Sequence, residues 1–476
     1  MSQLALENLT FSYLESGKVK TLEGVTFTAD SSDITVLTGP SGCGKSTLLY
    51  LAAGIYPQNG GHILAGSIRA GDKDPSALEP NERCRLVGMM FQNPDLQFCM
   101  DTVEREIAFC LENIRMEPSE IRRMLEEALD FTGIRHLRSR TLATLSGGEK
   151  QKAMLACLVA LRPQWLLLDE PFANIDDTSA KEIAAKLLAI HETFGTGILA
   201  VDHRLENWAD TADIVRIMEK NGEIRPERYR LRELSPSQLA QWGICSAGQR
   251  YQDFKPVKSP SSENTLELKE ICVEYGGRRI LKQASASFCR GRIYGIIGDS
   301  GAGKTSLFGA ISGICPYTGQ ILFHGQDLRK TRKKWAGKIG FVTQNPQDQF
   351  VADSVLEEVS VGLKNPREQA EKILKEIRLW RYRNLSPYML SQGQQRRLGT
   401  AALLAYDCEV LICDEPTYAQ DREHTLSIMG ALQEAVLQKN IALVLSSHDR
   451  QLIRDYADVV YELKGGKLIE VDQSSL

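Results

Sequence analysis

The sequence predicts an α/β fold built twice along one chain of 476 residues. Three observations predict it. The first is the stretch Gly39-Pro40-Ser41-Gly42-Cys43-Gly44-Lys45-Ser46-Thr47, preceded by an apolar strand-like run, Ile34 to Leu37, and followed by a helix-like one, Leu48 to Ala53. The second is another such loop, Gly298-Asp299-Ser300-Gly301-Ala302-Gly303-Lys304-Thr305-Ser306, after the apolar run Ile293 to Ile297. The third is that the landmarks following each loop recur in the same order. Strand, glycine loop and helix together make a P-loop. From average composition, GxxxxGK[ST] should arise by chance roughly 0.02 times in a chain this long.

The loop chemistry is that of a phosphate cradle. Glycine lets the backbone wrap closely with its N–H groups turned inward, and the helix N-terminus adds partial positive charge. Lys45 and Lys304 have the reach for β- and γ-phosphates, and Ser46 and Thr305 the hydroxyl that holds Mg²⁺.

Lys45 recurs as Lys304, an offset of 259; Gln92 recurs as Gln344, an offset of 252; Ser146, Asp169, Glu170 and His203 recur as Ser391, Asp414, Glu415 and His448, each at 245. The shrinking offset places shorter loops in the second half before residue 391. A period of this length is a duplicated domain. Each half opens with alternating apolar residues (Leu4, Leu6, Leu9, Phe11; Leu266, Leu268, Ile271, Val273), which predicts antiparallel strands. A helical stretch follows each P-loop unit, Thr102 to Leu137 and Ser354 to Trp380, and strand–helix alternation closes each half. Each half therefore reads as an α/β core with an antiparallel β subdomain and a helical insertion. Composition shifts at Arg225-Pro226-Glu227-Arg228, a short capped helix is expected over 234–243, and Lys255 to Ser262 reads as a solvated linker. The expected boundaries are 1–224, a linker 225–263, and 264–476.

The totals exclude some classes. Hydrophobic content of 42% and charged content of 25% are those of an ordinary soluble globular protein. A net charge of −4 gives no global reason to expect nucleic-acid binding. The start, Met1 to Glu7, lacks the basic and apolar regions of a secretory signal. No apolar run approaches the ~18–20 residues needed to cross a bilayer, so a membrane role is expected to come through partners. The eleven scattered cysteines suggest reduced thiols in the cytoplasm. Cys43 reads as a small filler of its loop rather than a redox switch.

Two further motifs carry chemistry. Trp165-Leu166-Leu167-Leu168-Asp169-Glu170-Pro171 and Val410-Leu411-Ile412-Cys413-Asp414-Glu415-Pro416 are apolar strands ending in paired carboxylates. Beside a P-loop, one carboxylate can orient Mg²⁺ and its neighbour can polarise a water for attack on the γ-phosphate. Leu145-Ser146-Gly147-Gly148-Glu149 and Leu390-Ser391-Gln392-Gly393-Gln394 look like capped helix starts with backbone N–H groups open to an anion.

The order P-loop, glutamine, LSGGE, LLLDEP and a late histidine resembles that of the ABC-type ATPases, and it covers nearly the whole chain twice. The resemblance implies two tandem P-loop NTPase domains that pair head to tail as an internal pseudo-dimer and use ATP and Mg²⁺. One site would use Lys45 with Ser391 and Gly393, the other Lys304 with Ser146 and Gly148. It implies a general base at Glu170 and Glu415, an Mg²⁺ carboxylate at Asp169 and Asp414, and a γ-phosphate switch at His203 and His448. It also implies a metal- and water-contacting Q-loop at Gln92 and Gln344, an adenine platform at Tyr13 and Tyr275, and a coupling carboxylate at Asp176 and Asp421. Gln392 departs from the glycine of the signature. Both halves keep lysine, glutamate and histidine, so two competent sites are expected.

Phe91-Gln92-Asn93-Pro94-Asp95-Leu96-Gln97-Phe98 and Gln344-Asn345-Pro346-Gln347-Asp348-Gln349-Phe350 resemble the Q-loops of energy-coupling factor (ECF) importer ATPases. Val103 to Phe109 and Asp202 to Glu206 fit the same group. That resemblance implies an integral-membrane scaffold subunit and a small membrane substrate-binding subunit as partners. It implies a place at the cytoplasmic face of the cell membrane, and a vitamin, vitamin precursor or metal ion as cargo. Asp95 and Asp348 are expected to meet basic residues of the scaffold. Two alternatives stay open: the fused ATPase of a monosaccharide importer, whose second half usually carries degenerate motifs, and a soluble ABC protein acting on ribosomes, usually joined by a long charged helical linker.

Overall fold

The computed structural model describes residues 2–473 apart from 16, 18, 174, 243, 245–250, 252–263, 300, 332, 336, 364–365, 391, 418–419 and 421. The chain divides into two compact units, Met1–Ala247 and Gly248–Leu476. Each is an α/β core with an antiparallel sheet and a helical insertion.

In the first unit, a three-stranded antiparallel sheet is formed by Leu22–Asp30, Gln3–Ser12 and His62–Ala70, in that order. A five-stranded parallel sheet runs Val87–Met90, Trp165–Asp169, Gly197–Val201, Ile34–Thr38 and Ile214–Ile217. Its inner strands are buried at every residue, which is why they read as continuous apolar runs. Successive side chains divide between two cores. Leu166 and Leu168 face the insertion helices, whereas Trp165 and Leu167 face the antiparallel sheet.

The second unit repeats this plan. Arg278–Cys289, Asn264–Tyr275, Thr318–Phe323 and Gln326–Asp327 form its antiparallel sheet. Its main sheet runs Ile339–Val342, Val410–Asp414, Ala442–Ser446, Arg292–Ile297, Val459–Lys464 and an antiparallel edge strand, Lys467–Val471. Its insertion helices pack a small core of their own around Val355, Leu374 and Leu398. In the first unit the insertion shares one core with a face of the sheet.

The insertion helices begin where capping chemistry places them. Thr102 and Ser354 cap Val103–Asn113 and Val355–Ser360, and Pro118 and Pro366 open the next helices.

The segment that the sequence marks as the start of a linker is part of the first unit. After Ile217 the chain turns at Glu219–Gly222, where the Gly222 N–H donates to the Glu219 carbonyl, and runs back along the sheet. Val215 and Tyr229 exchange N–H···O bonds of 2.7 and 3.0 Å, and Arg225 N–H donates to the Ile217 carbonyl at 2.9 Å. Arg228 pairs with Asp30 at 2.9 Å, the Arg225 guanidinium lies over the Trp242 ring, and Leu239 and Ile244 are buried in the unit's core. The helix expected within 234–243 is Pro236–Gln241, capped by Ser235 with Gln238 in a capping box. Proline and charge at 225–228 are what a sheet edge tolerates, so the composition shift marks an edge rather than a boundary. The solvated stretch expected at 255–262 lies outside the described residues.

Candidate functional site: a strand-end nucleotide cleft in each unit

Four motifs in each unit follow the carboxyl ends of neighbouring parallel strands. In the first unit, strands ending at Thr38, Met90, Asp169 and Val201 lead into the glycine loop, Gln92, Glu170 and His203. In the second, strands ending at Ile297, Val342, Asp414 and Ser446 lead into Gly298, Gln344, Glu415 and His448. A parallel sheet delivers its loops to one edge, so residues up to 164 positions apart in sequence converge there by topology.

In the first cleft the Lys45 ammonium donates to the Gly39 and Pro40 carbonyls at 2.8 and 2.7 Å. It lies 3.7 Å from the sulfur of Cys43, which is buried as a loop filler. Gly44 caps the Lys45–Ala52 helix at φ 109°, where any other residue would be strained, and a Cβ there would come within 2.6 Å of the Leu22 side chain. Ser46 Oγ donates to Asp169 Oδ1 at 3.0 Å. Glu170 receives the Gln92 side-chain amide at 2.7 Å, and its other oxygen lies 3.3 Å from His203 Nε2. Its backbone is left-handed, φ 46°, a conformation costly outside glycine and held here by its N–H on the Val201 carbonyl at 2.8 Å.

The second cleft, about 220 Å³, is lined by Ile280, Asp299, Lys304, Gln344, Asp414 and His448 among others. Lys304 donates to the Gly298 and Asp299 carbonyls at 2.6 and 3.2 Å, and Thr305 Oγ1 to Asp414 Oδ2 at 2.7 Å. Glu415, at φ 54°, lies 3.3 Å from His448 Nε2. Here a hydroxyl does work that a carbonyl does in the first unit: Ser446 Oγ donates to Asp414 and receives the Glu415 N–H at 3.0 Å.

Burial dominates the electrostatics of the first cleft. It lifts Asp169 to about 6 against the Ser46 hydrogen bond and the Lys45 charge. It lifts Glu170 to about 8, helped by the charges of Asp169 and Asp202. Asp202, also lifted to about 6 by burial, accepts from the Trp208 indole N–H and the Arg204 N–H, both at 2.9 Å. A carboxyl with its pKa near neutrality suits a general base.

The remaining expected residues are placed as follows. The Tyr13 hydroxyl is 2.8 Å from Thr47 Oγ1, beside the loop, whereas the Tyr275 ring is 83% exposed. Ser146 caps the Gly147–Leu161 helix in a capping box with Glu149, and a Cβ on Gly148 would meet Ser179 Oγ at 2.8 Å. Gly393 abuts Gln420, where a Cβ would stand 3.0 Å from the amide nitrogen. Gly42, Gly301, Ala302 and Gly303 lie in the glycine loops, Ser306 lies in the first turn of the Lys304–Ser312 helix, and Asp176 caps the Asp177–Phe194 helix. Ser300, Ser391, Asp421 and the Gln392 side chain lie outside the described residues.

The two aspartates expected to meet a scaffold also have partners within their own units. Asp95 already pairs with Lys150 of the same unit at 2.7 Å, and Asp348 Oδ1 receives the Asn345 amide at 3.0 Å. The two positions are also not equivalents, since Asp95 aligns with Gln347 and Asp348 with Leu96.

Three kinds of site residue escape the sequence. Tyr50, five positions after Lys45, lies beside Asp169, and its ionisation is pushed far up by burial and by that carboxylate. Its place in the second unit is Gly309. Gln97 braces the Q-loop from within, accepting the Phe91 N–H at 2.7 Å and donating to the Met89 carbonyl at 2.9 Å. Glu106, 3% exposed, accepts the Cys99 and Met100 N–H groups at 2.9 and 2.7 Å, and Glu358 holds Val351 and Ala352 in the same way. The signal for two of these was recurrence at the Q-loop offset, Gln97 as Gln349 and Glu106 as Glu358; Tyr50 had none. Glu106→Ala removes the acceptor of two part-buried N–H groups and is expected to cost the first unit about 1–2 kcal/mol. A shift of that unit's urea transition, with the second unit's unmoved, checks it.

Fold and site define an ABC-type ATPase. The ABC transporter family model matches residues 22–173 and 281–418, and the chain belongs to that family. It is an ATP-binding ABC transporter ATPase with two fused ATPase domains. It is 32% identical to YkoD of Bacillus subtilis (strain 168), provisionally named an HMP/thiamine import ATP-binding protein, over 97% of this chain and 89% of that one. It is 30% identical to a Methanosarcina mazei protein, provisionally named an ABC transporter ATP-binding protein, over 97% and 88%. A model of ribosome-bound archaeal Pelota and ABCE1 matches with a TM-score of 0.69 at 18% identity, over 98% of this chain and 79% of that one; it shares the fold. No helix among the described residues is long and apolar enough to cross a membrane.

Proposed function

We propose that the chain is the ATP-hydrolysing subunit of an ECF-type importer, acting at the cytoplasmic face of the cell membrane through an integral-membrane scaffold and a small membrane substrate-binding subunit. The observation that carries this reading is the similarity to YkoD over 97% of the chain, in a protein whose two halves both carry the QNP-x-x-Q-F loop. The relative's name favours a vitamin precursor as cargo over a metal ion. ATP-driven closure of the two halves on the scaffold supplies the work.

The chain's own residues divide the chemistry in each cleft. The glycine-loop N–H groups and Lys45 or Lys304 bind the phosphates. Ser46 with Asp169, and Thr305 with Asp414, offer a hydroxyl and a carboxylate 3.0 and 2.7 Å apart. Such hard oxygen donors, with the Gln92 or Gln344 amide, suit Mg²⁺, which when bound neutralises charge on the β- and γ-phosphate oxygens. Glu170 and Glu415 position the attacking water and take its proton. His203 and His448 orient those carboxylates and meet the γ-phosphate.

Retention of lysine, glutamate and histidine in both halves disfavours the monosaccharide-importer reading. The ribosome reading has only a shared fold behind it. A pull-down of the tagged protein from native membranes in mild detergent is expected to bring a polytopic scaffold and small membrane binding proteins, identified by mass spectrometry. Two copies of one permease with a soluble binding protein, or ribosomes without membrane proteins, would overturn the reading.

A further inference from the structure

The helix after each signature packs behind its own Q-loop, and the two units make that junction differently. In the second unit Arg396, on Gln392–Ala405, is 6% exposed. Its guanidinium donates to the Gln344 carbonyl at 2.7 Å and, through its other terminal nitrogen, to the Glu415 carbonyl. One buried cation thus grips the backbone at the head of the Q-loop and the backbone of the carboxylate beside the cleft. It does so at Glu415, where the backbone is left-handed.

The same place in the first unit is Gln151, at the offset of 245 that relates Ser146 to Ser391. Gln151 is 1% exposed, and neither its amide oxygen nor its amide nitrogen has a hydrogen-bond partner among the described residues. Its side chain ends two bonds short of the arginine's terminal nitrogens. The first unit joins Q-loop to glutamate through side chains instead, Gln92 Nε2 to Glu170 Oε2 at 2.7 Å. It joins Q-loop to signature helix through the Asp95–Lys150 ion pair, whose aspartate is 53% exposed. The second unit has an amide pair there, Gln347 to Gln395 at 3.3 Å.

We infer that Arg396 is a positioning residue that couples the second Q-loop rigidly to Glu415 and the signature helix, and that the first unit lacks this coupling. A displacement arriving at Gln344 must carry the Glu415 backbone with it or break a charge-assisted hydrogen bond. A displacement arriving at Gln92 acts on the Glu170 carboxylate itself, by making or breaking one side-chain bond. The two clefts would then answer a partner's push by different routes. The inference rests on the assignment of Glu415 as the hydrolytic base only for its effect on turnover.

The test is amide hydrogen exchange, read by mass spectrometry on the full-length protein with and without MgATP, for the wild type, Arg396→Gln and Arg396→Lys. Arg396→Gln installs the side chain that the first unit carries. It is expected to speed exchange over 344–350 by about tenfold, leaving 92–98 and the strand Val410–Asp414 as in the wild type. Arg396→Lys, able to hold one carbonyl, is expected to fall between. ATP turnover should drop in the same order with KM for ATP unchanged. Unaltered exchange over 344–350 in both variants overturns the inference. So does faster exchange spread over the whole second unit in both, which would make Arg396 a stability residue only. If exchange shifts as expected while Glu415→Gln leaves turnover intact, the coupling stands and the assignment of Glu415 falls.

Discussion

Changing Glu170 and Glu415 together to glutamine is expected to lower ATP turnover by about 10²–10⁴-fold while MgATP binding survives. Glutamine keeps the shape of the side chain, and it can still accept a hydrogen bond from Gln92 or His203. What it cannot do is take a proton from water. The phosphate cradle is untouched, because Lys45 and Lys304 are held by carbonyls of their own loops, not by these carboxylates. The double variant should therefore accumulate as an ATP-bound form, detectable as unhydrolysed nucleotide retained through gel filtration. Turnover at the wild-type rate would remove both glutamates from the proposed mechanism. Loss of binding together with turnover would make them structural.

The second large effect is a gain in stability. Glu170 is lifted to about 8 by burial first, then by Asp169 and Asp202, with Lys45 and the Gln92 hydrogen bond opposing. A carboxyl raised in the folded state binds more protons there than in the unfolded chain. Between the two pKa values, from about pH 4.5 to about pH 8, stability therefore falls as pH rises. Above that window the ionised, buried carboxylate costs on the order of 5 kcal/mol. Glu170→Gln alone should remove this cost. In nucleotide-free protein the thermal midpoint of the first unit is expected to rise by several degrees at about pH 8.5 and to change little at about pH 5. A gain independent of pH, or a loss at the higher pH, would show that Glu170 is not held under strain by burial. The two predictions concern one residue. The environment that makes Glu170 basic enough to act also makes it costly to fold.

Much of the fold and most of the cleft are legible in the sequence because the chemistry lies in short contiguous runs. Gly39 to Thr47 declares its strand, turn and helix without reference to the rest of the chain. Leu168-Asp169-Glu170 announces a buried strand that stops at a carboxylate. Contacts whose partners are distant in sequence are not legible. Nothing in the run Leu48 to Leu51 separates Tyr50, which reaches Asp169, from the core leucines around it. Arg396 sits in a polar helix start and looks like a surface residue until the second sheet brings Gln344 and Glu415 to it. Asp95 looks free to meet a partner because Lys150 lies 55 residues away. The boundary at 225 is misplaced for a different reason. Proline and charge serve both linkers and sheet edges, and only the pairing of Tyr229 with Val215 distinguishes them.

That pairing bears on how the duplicated chain can be divided. The second half closes its sheet with a strand of its own near its end, Lys467–Val471. The first half closes its sheet with chain that lies between the halves. A fragment ending at residue 224 would leave the backbone groups of Val215 unpaired along an open strand, and an unprotected strand of that kind recruits other chains. It would also lose the helix Pro236–Gln241, which supplies Leu239 to its core. The joining segment is therefore owned by one half. The two halves are separable as folding units only when the cut falls beyond Ile244, so the length free to act as a tether is shorter than the sequence suggests.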